Sequence, residues 1–173
     1  VAARDRSCLA EVLVIAAALS VQDPRERPQE QAGTADQAHA KFRVSPDSKD
    51  EAKSEFLWYW NLWRAFDHLW KHESSNKQKA WCKQHFLNWM RMREWRDIHS
   101  QLHALATEHG WRESGQPAGY EAIHKALLTG LLGHIGCKVE DASGPTAGSY
   151  LGARAIKFWP HPGSALAKKA GKW

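Results

Sequence analysis

The sequence predicts a mainly α fold, a helical bundle followed by a short β segment. Three observations carry that expectation. Apolar residues recur at helical spacing through most of residues 8–135, as in Trp95, Ile98, Leu102 and Leu105. Seven of the ten tryptophans fall between Trp58 and Trp95, within stretches of that same period. Beyond Gly136 the chain turns to glycine, serine and proline with brief β-prone runs.

Ser7 is placed to cap a first helix over residues 8–20, with Leu9, Val12, Leu13, Ala16 and Leu19 on one face. Asp23-Pro24 stops it, because proline disfavours helix in the residue before it. Residues 22–33 hold two prolines, many charges and no apolar period, which reads as a surface loop. Arg4 and Arg6 ahead of the apolar run 12–19 give the start of the chain a faint likeness to a secretory signal. Glu11 interrupts that run, which is eight residues long and far too short to span a bilayer. A buried helix is the expected reading, with no membrane association.

Thr34 can cap a short helix reaching Phe42. Ser48 and Glu51 have capping-box spacing, in which each side chain satisfies a free backbone N–H, so a helix is expected over residues 48–71. Phe56, Tyr59, Trp60, Trp63, Phe66 and Trp70 give it a wide apolar face, which implies contact with more than one neighbour. Ser74-Ser75-Asn76 separates it from a helical stretch reaching His109, with a break near Asn88 and Gly110 as the C-terminal cap. Residues 112–119 read as a linker and residues 120–135 as a further apolar helix. Residues 140–149 read as a loop, and residues 150–152 and 155–159 as strands near the turn at Pro160-His161-Pro162-Gly163. Two or three strands do not make a stable sheet alone, so the β domain is expected to be truncated. Val1 in place of Met and the abrupt end at Trp173 raise the same expectation for both ends.

A length of 173 residues suits one domain or two small ones. Net charge is +5, unevenly spread. Residues 1–70 carry 9 basic and 11 acidic side chains, residues 71–100 carry 7 and 3, and residues 111–173 carry 8 and 4. From Arg154 onward there is no acid, only Arg154, Lys157, Lys168, Lys169 and Lys172. Such a distribution suits a polyanion, or else is a solvated basic face. The clustered indoles read first as core, since large rings bury the most area, although they also stack on bases. Cys8, Cys82 and Cys137 are odd in number, far apart and without a CxxC pair, which fits reduced thiols in a cytoplasmic protein.

No GxxxxGK[ST] phosphate loop, GxGxxG, GxSxG or HExxH occurs, so no catalytic residue is assigned. His68 with His72, His99 with His103, and Cys82 with His85 share helical faces, yet none has an evident third ligand, and no metal site is assigned. Two nucleic-acid candidates remain. Arg91, Arg93 and Arg96 can grip a phosphate backbone with their guanidinium forks, or can pair with Glu94 and Asp97 on their own helix. Arg154, Lys157 and Trp159 can present charge and a stacking ring along a strand, or Trp159 can be core.

A resemblance extends this reading. Glu11 through Asp23-Pro24-Arg25-Glu26-Arg27-Pro28, then Ala35-Asp36 with Phe42, resemble the helicase-associated region of HrpA-type DEAH-box ATP-dependent RNA helicases. Trp81-Cys82, Phe86-Leu87-Asn88 and the segment from Arg93 to Leu102 follow in that family's order. The segments from Ala126 to Gly136, from Tyr150 to Arg154 and from Phe158 to Gly163 resemble the entry into its oligonucleotide-binding (OB) fold. The similarity covers nearly the whole chain; the tryptophan content and the loop before Ser149 depart from the pattern.

The resemblance implies a ratchet-like helical domain over residues 1–112 and the first part of an OB-fold over 113–173. It implies two RecA-like motor domains in the same polypeptide, holding ATP and Mg, with a winged-helix module just before Val1. It implies single-stranded or structured RNA as partner, with the accessory domains forming one wall of a channel through which ATP-driven cycling pulls the strand. Under the alternative reading, the chain is a non-catalytic module that docks on the motor domains or on a protein activator.

Overall fold

The apolar run after Cys8 forms a helix on which four of the other helices pack. A computed structural model describes residues 1–43, 53–140, 144, 147–167 and 171–173. Its helices are α1 (Ala2–Asp5), α2 (Leu9–Leu19), α3 (Ala32–Ala40), α4 (Glu55–His72), α5 (Ser75–Gln84), α6 (Trp89–Glu108) and α7 (Tyr120–Gly130). Three two-residue strands follow, β1 (Cys137–Lys138), β2 (Tyr150–Leu151) and β3 (Lys157–Phe158). They form an antiparallel sheet in the order β1-β2-β3, with Cys137 opposite Leu151 and Tyr150 opposite Phe158. The expected fold class, a helical bundle followed by a short β segment, is the one observed.

α2 packs against α4, α6 and α7, which explains its near-continuous apolar sequence. One of its sides, with Val14, Ala17 and Ala18, joins Trp58, Leu62, Phe66, Met92 and Trp95 in a first core. Its other side, with Leu9 and Ile15, joins Ala3, Cys8, Ile123, Ala126 and Leu127 in a second. Buried indole N–H groups need acceptors, and they find backbone carbonyls on neighbouring segments. Trp58 Nε1 donates to the His39 carbonyl at 2.7 Å and Trp95 Nε1 to the Val14 carbonyl at 2.9 Å. Burial pushes the Cys82 thiol up to about 12 and raises that of Cys8, so both stay protonated, as small packed side chains do.

Several expected boundaries move. Ser7 does not cap α2: the Ser7 N–H donates to the Arg4 carbonyl and that of Cys8 to the Ala3 carbonyl, closing α1 with Ser7 at φ 53°. Cys8 then occupies the N-cap position without a side-chain bond. α3 starts at Ala32, because a 3-10 turn over Gln29–Gln31 leads directly into it, and Thr34 lies inside. The Ser48 and Glu51 capping box lies outside the described residues. α4 begins instead at Glu55, where Ser54 Oγ accepts the Leu57 N–H at 3.2 Å.

Asn88 caps α6, its side chain accepting the Arg91 N–H at 3.1 Å, so the expected break there separates α5 from α6. α6 ends before Gly110, whose φ of +71° suits a residue without Cβ. α7 stops at Gly130 rather than at 135, since Gly130 and Gly133 are poor helix formers; a 3-10 turn over Leu132–His134 follows. In the β segment Arg154 and Ala155, at φ 56° and 60°, belong to a turn and not to a strand.

The C-terminal turn is fastened to the helices through Glu55. Its Oε1 accepts from the Ala165 N–H at 3.0 Å and pairs with Arg43 at 2.7 Å, while Oε2 takes Arg25 at 2.8 Å. Arg43 also donates to the Gly163 carbonyl at 3.0 Å. Arg25 is held by Asp23 as well and lies 4.5 Å from the Trp58 ring centroid.

Candidate nucleic-acid interface

The capped start of α6 fixes where its three arginines point, and they point to three different places. Arg91 Nη1 donates to the Asp23 carbonyl at 3.0 Å, clamping α6 to the loop that follows α2. Arg93 is exposed and its guanidinium lies 5.1 Å from the Trp89 ring, with Lys79 Nζ from α5 4.7 Å from the same ring. Arg96 is largely enclosed. Its guanidinium lies 4.6 Å from the Trp63 ring and 4.8 Å from that of Trp70, and both Nη atoms reach Asp67 Oδ1, at 3.1 and 3.2 Å. Neither Glu94 nor Asp97 pairs with these arginines among the described residues. The partner of Arg96 comes instead from α4, which sequence spacing did not reveal.

The charges around Asp67 are tightly coupled. Burial pulls the Arg96 guanidinium below its ordinary value, opposed by Asp67. Burial pushes Asp67 up, but hydrogen bonds from Lys71 and Arg96 outweigh it and leave the carboxyl below its ordinary value. His99, 4.5 Å from Trp63 between ring centroids, is pushed down to about 4 by burial and then by His103 and Arg96, so its imidazole is neutral at pH 7.

These side chains line a groove of about 610 Å³ between α4 and α6, with Trp60, Arg64 and Lys71 along its α4 side. None of the three was expected at a site, and Trp60 was expected on the apolar face of its helix. Their shared face was legible all the same, because Trp60, Arg64, Asp67 and Lys71 follow steps of four, three and four.

The second candidate set lies on the sheet. Lys157 is exposed on β3 and Arg154 in the turn before it. Trp159 is half exposed and not core, and its Nε1 donates to the Ala147 carbonyl at 3.2 Å. No hydrogen bond, ion pair or ring contact among the described residues joins this set to the α6 arginines. Lys168 and Lys169 lie outside the described residues. Among those described, no group of three or more His, Cys, Asp or Glu is placed to hold a metal ion. No described helix is long and apolar enough to cross a membrane.

Residues 1–88 match the model of the helicase associated domain (HA2), ratchet-like, and the chain belongs to that family. It is 41% identical over 171 residues to the ATP-dependent RNA helicase HrpA of Escherichia coli (strain K12), covering 99% of this chain and 12% of that protein. It is 41% identical over 166 residues to the HrpA homolog of Haemophilus influenzae, covering 96% and 12%. A probable ATP-dependent RNA helicase of Pongo abelii, DHX35, is 26% identical over 168 residues, covering 96% and 21%. The chain therefore spans about an eighth of the length of its two bacterial relatives.

Proposed function

We propose that this chain is the accessory region of an ATP-dependent DEAH-box RNA helicase, that it forms part of the wall of a single-stranded RNA channel, and that it supports translocation and unwinding. The observation that carries the reading is 41% identity to an RNA helicase across 99% of the chain. On this reading ATP and Mg bind in RecA-like motor domains of the same polypeptide, which acts in the cytoplasm. Residues 113–173 begin an OB-fold, and residues 1–112 form the ratchet-like domain. α7 nonetheless shares a core with α1 and α2, so the two parts meet through packed apolar surface.

The chemistry suits a strand read by charge and not by sequence. Phosphates are neutralised by lysine and arginine, and bases stack on indole faces. Lys79 and Arg93 around Trp89, and Lys157 beside Trp159, offer both elements on exposed surface. Arg91 and Arg96 serve this surface as internal struts, since their guanidinium groups are engaged within the bundle. In the intact helicase, Lys79→Ala with Arg93→Ala weakens RNA binding and lowers the salt slope by about 0.7 per cation. An unchanged slope removes both residues from the RNA path.

A second reading, a docking module for motor domains or a protein activator, draws on apolar surface. Trp173, Leu128 and Phe158 are 76, 47 and 41% exposed in the lining of a cavity that Phe56, Ile135 and Tyr150 also line. Exposed apolar patches mark interaction surfaces, and this one is separate from the basic side chains of α5 and α6.

A further inference from the structure

We propose that the groove between α4 and α6 is a subsite for a two-nucleotide stretch of single-stranded RNA, with Trp60 stacking a base and Arg64 and Lys71 each holding a phosphate. The proposal rests on the functional reading above and assigns that reading a location which neither cluster of sequence candidates provides.

Trp60, Arg64, Asp67 and Lys71 lie on one face of α4, and Arg96, His99, Ser100 and His103 face them from α6. The groove volume, about 610 Å³, is in the range of small-ligand sites. Aromatic rings form part of its lining: the half-buried indole of Trp60, the largely buried indole of Trp63 and the imidazole of His99 packed on Trp63. Arg64 is exposed, with no carboxylate partner among the described residues. Lys71, 60% exposed, stands about 10 Å further along the helix, a distance set by the rise per residue.

The acids do not cancel this charge. Asp67 is shared between Lys71 at 2.6 Å and Arg96 at 3.1 Å, so three cations face one carboxylate within the lining. Glu113 stands at the His103 end, 3.5 Å from Nε2. Arg96 cannot itself grip a ligand, because it is enclosed by Asp67 and two indoles, so it acts as a positioning residue; Lys71 shares the same carboxylate from an exposed position and is free to turn to a ligand. Flat rings with cations at one end match a base joined to a phosphate. An acidic peptide would use the cations and leave the rings idle.

The test is fluorescence anisotropy of a labelled oligouridylate with the 173-residue chain over a range of salt. Melting curves confirm that each variant folds. Arg64→Ala with Lys71→Ala lowers the slope of log affinity against log salt by about 1.4, the value for two phosphate contacts on a single strand. Trp60→Ala weakens binding about tenfold at fixed salt, and Trp60→Phe restores most of it, as stacking requires. Wild-type affinity and slope in both the double variant and Trp60→Ala would overturn the groove and leave the functional reading in place. Polyglutamate binding that falls with the cation variants while RNA binding does not would assign the groove to an acidic protein partner and overturn the proposal. A wild-type chain with no affinity for the oligonucleotide would overturn the groove and leave the functional reading to its test in the intact helicase.

Discussion

The tryptophans divide by what their surroundings do with the ring. Trp58 and Trp95 are fully enclosed and donate to backbone carbonyls, whereas Trp159 and Trp173 are 50 and 76% exposed. Between these extremes Trp60, Trp70 and Trp89 each show part of a ring to solvent, and cations lie against the last two. His99 carries the clearest residue-scale consequence. Its unfolded imidazole takes a proton near 6.5, but in the bundle, facing Trp63, Arg96, His103 and Asp67, it stays neutral until about 4. The unfolded chain therefore binds the extra proton first, and stability falls as pH drops through that window. Melting temperature is expected to decline from about pH 6.5 to about pH 5, with a smaller decline in His99→Gln, which has no proton to gain. Equal slopes in the two proteins would show that burial of His99 does not resist protonation. Helical spacing shows that His99 and His103 share a face; that Trp63 covers His99 depends on how α4 crosses α6, which one chain's spacing does not encode.

At the scale of elements, some local caps were legible, but Ser54 at the start of α4 was missed, and Ser7 and Thr34 do not cap the helices assigned to them. Asn88 as a break and Gly110 as a cap follow from local chemistry, and both hold. α1 is four residues long and each strand two, too short for any periodicity to show. Ser7 has the chemistry of a cap but is spent in the left-handed turn that closes α1. Asn88→Ala should cost about 1 kcal/mol for the lost cap, read from urea unfolding at pH 7. The side chain also donates to Glu26 at 2.8 Å, an exposed bond that adds little to that figure. A loss below a few tenths of a kcal/mol would mean that α6 does not depend on this cap.

Across the whole molecule, α2 is shared by two cores and Glu55 by three segments. Burial raises the Glu55 carboxyl, but the Ala165 N–H, Arg43 and Arg25 outweigh that and hold it below its ordinary value. Glu55→Gln is expected to cost about 2 kcal/mol, because its bonds involve charged partners. The variant should also speed hydrogen exchange at Ala165, and unchanged exchange there would show that the turn is held by other contacts. The resemblance read from short ordered segments pointed to the right family, while the groove between α4 and α6 emerged only once those helices were packed. The proposed role requires this surface to meet RNA through backbone charge. Its most direct test is the affinity of the chain for a single-stranded oligouridylate measured between about 50 mM and about 200 mM salt. The expected affinity falls steeply and linearly on logarithmic axes. An affinity indifferent to salt, or none at the lower concentration, would contradict it.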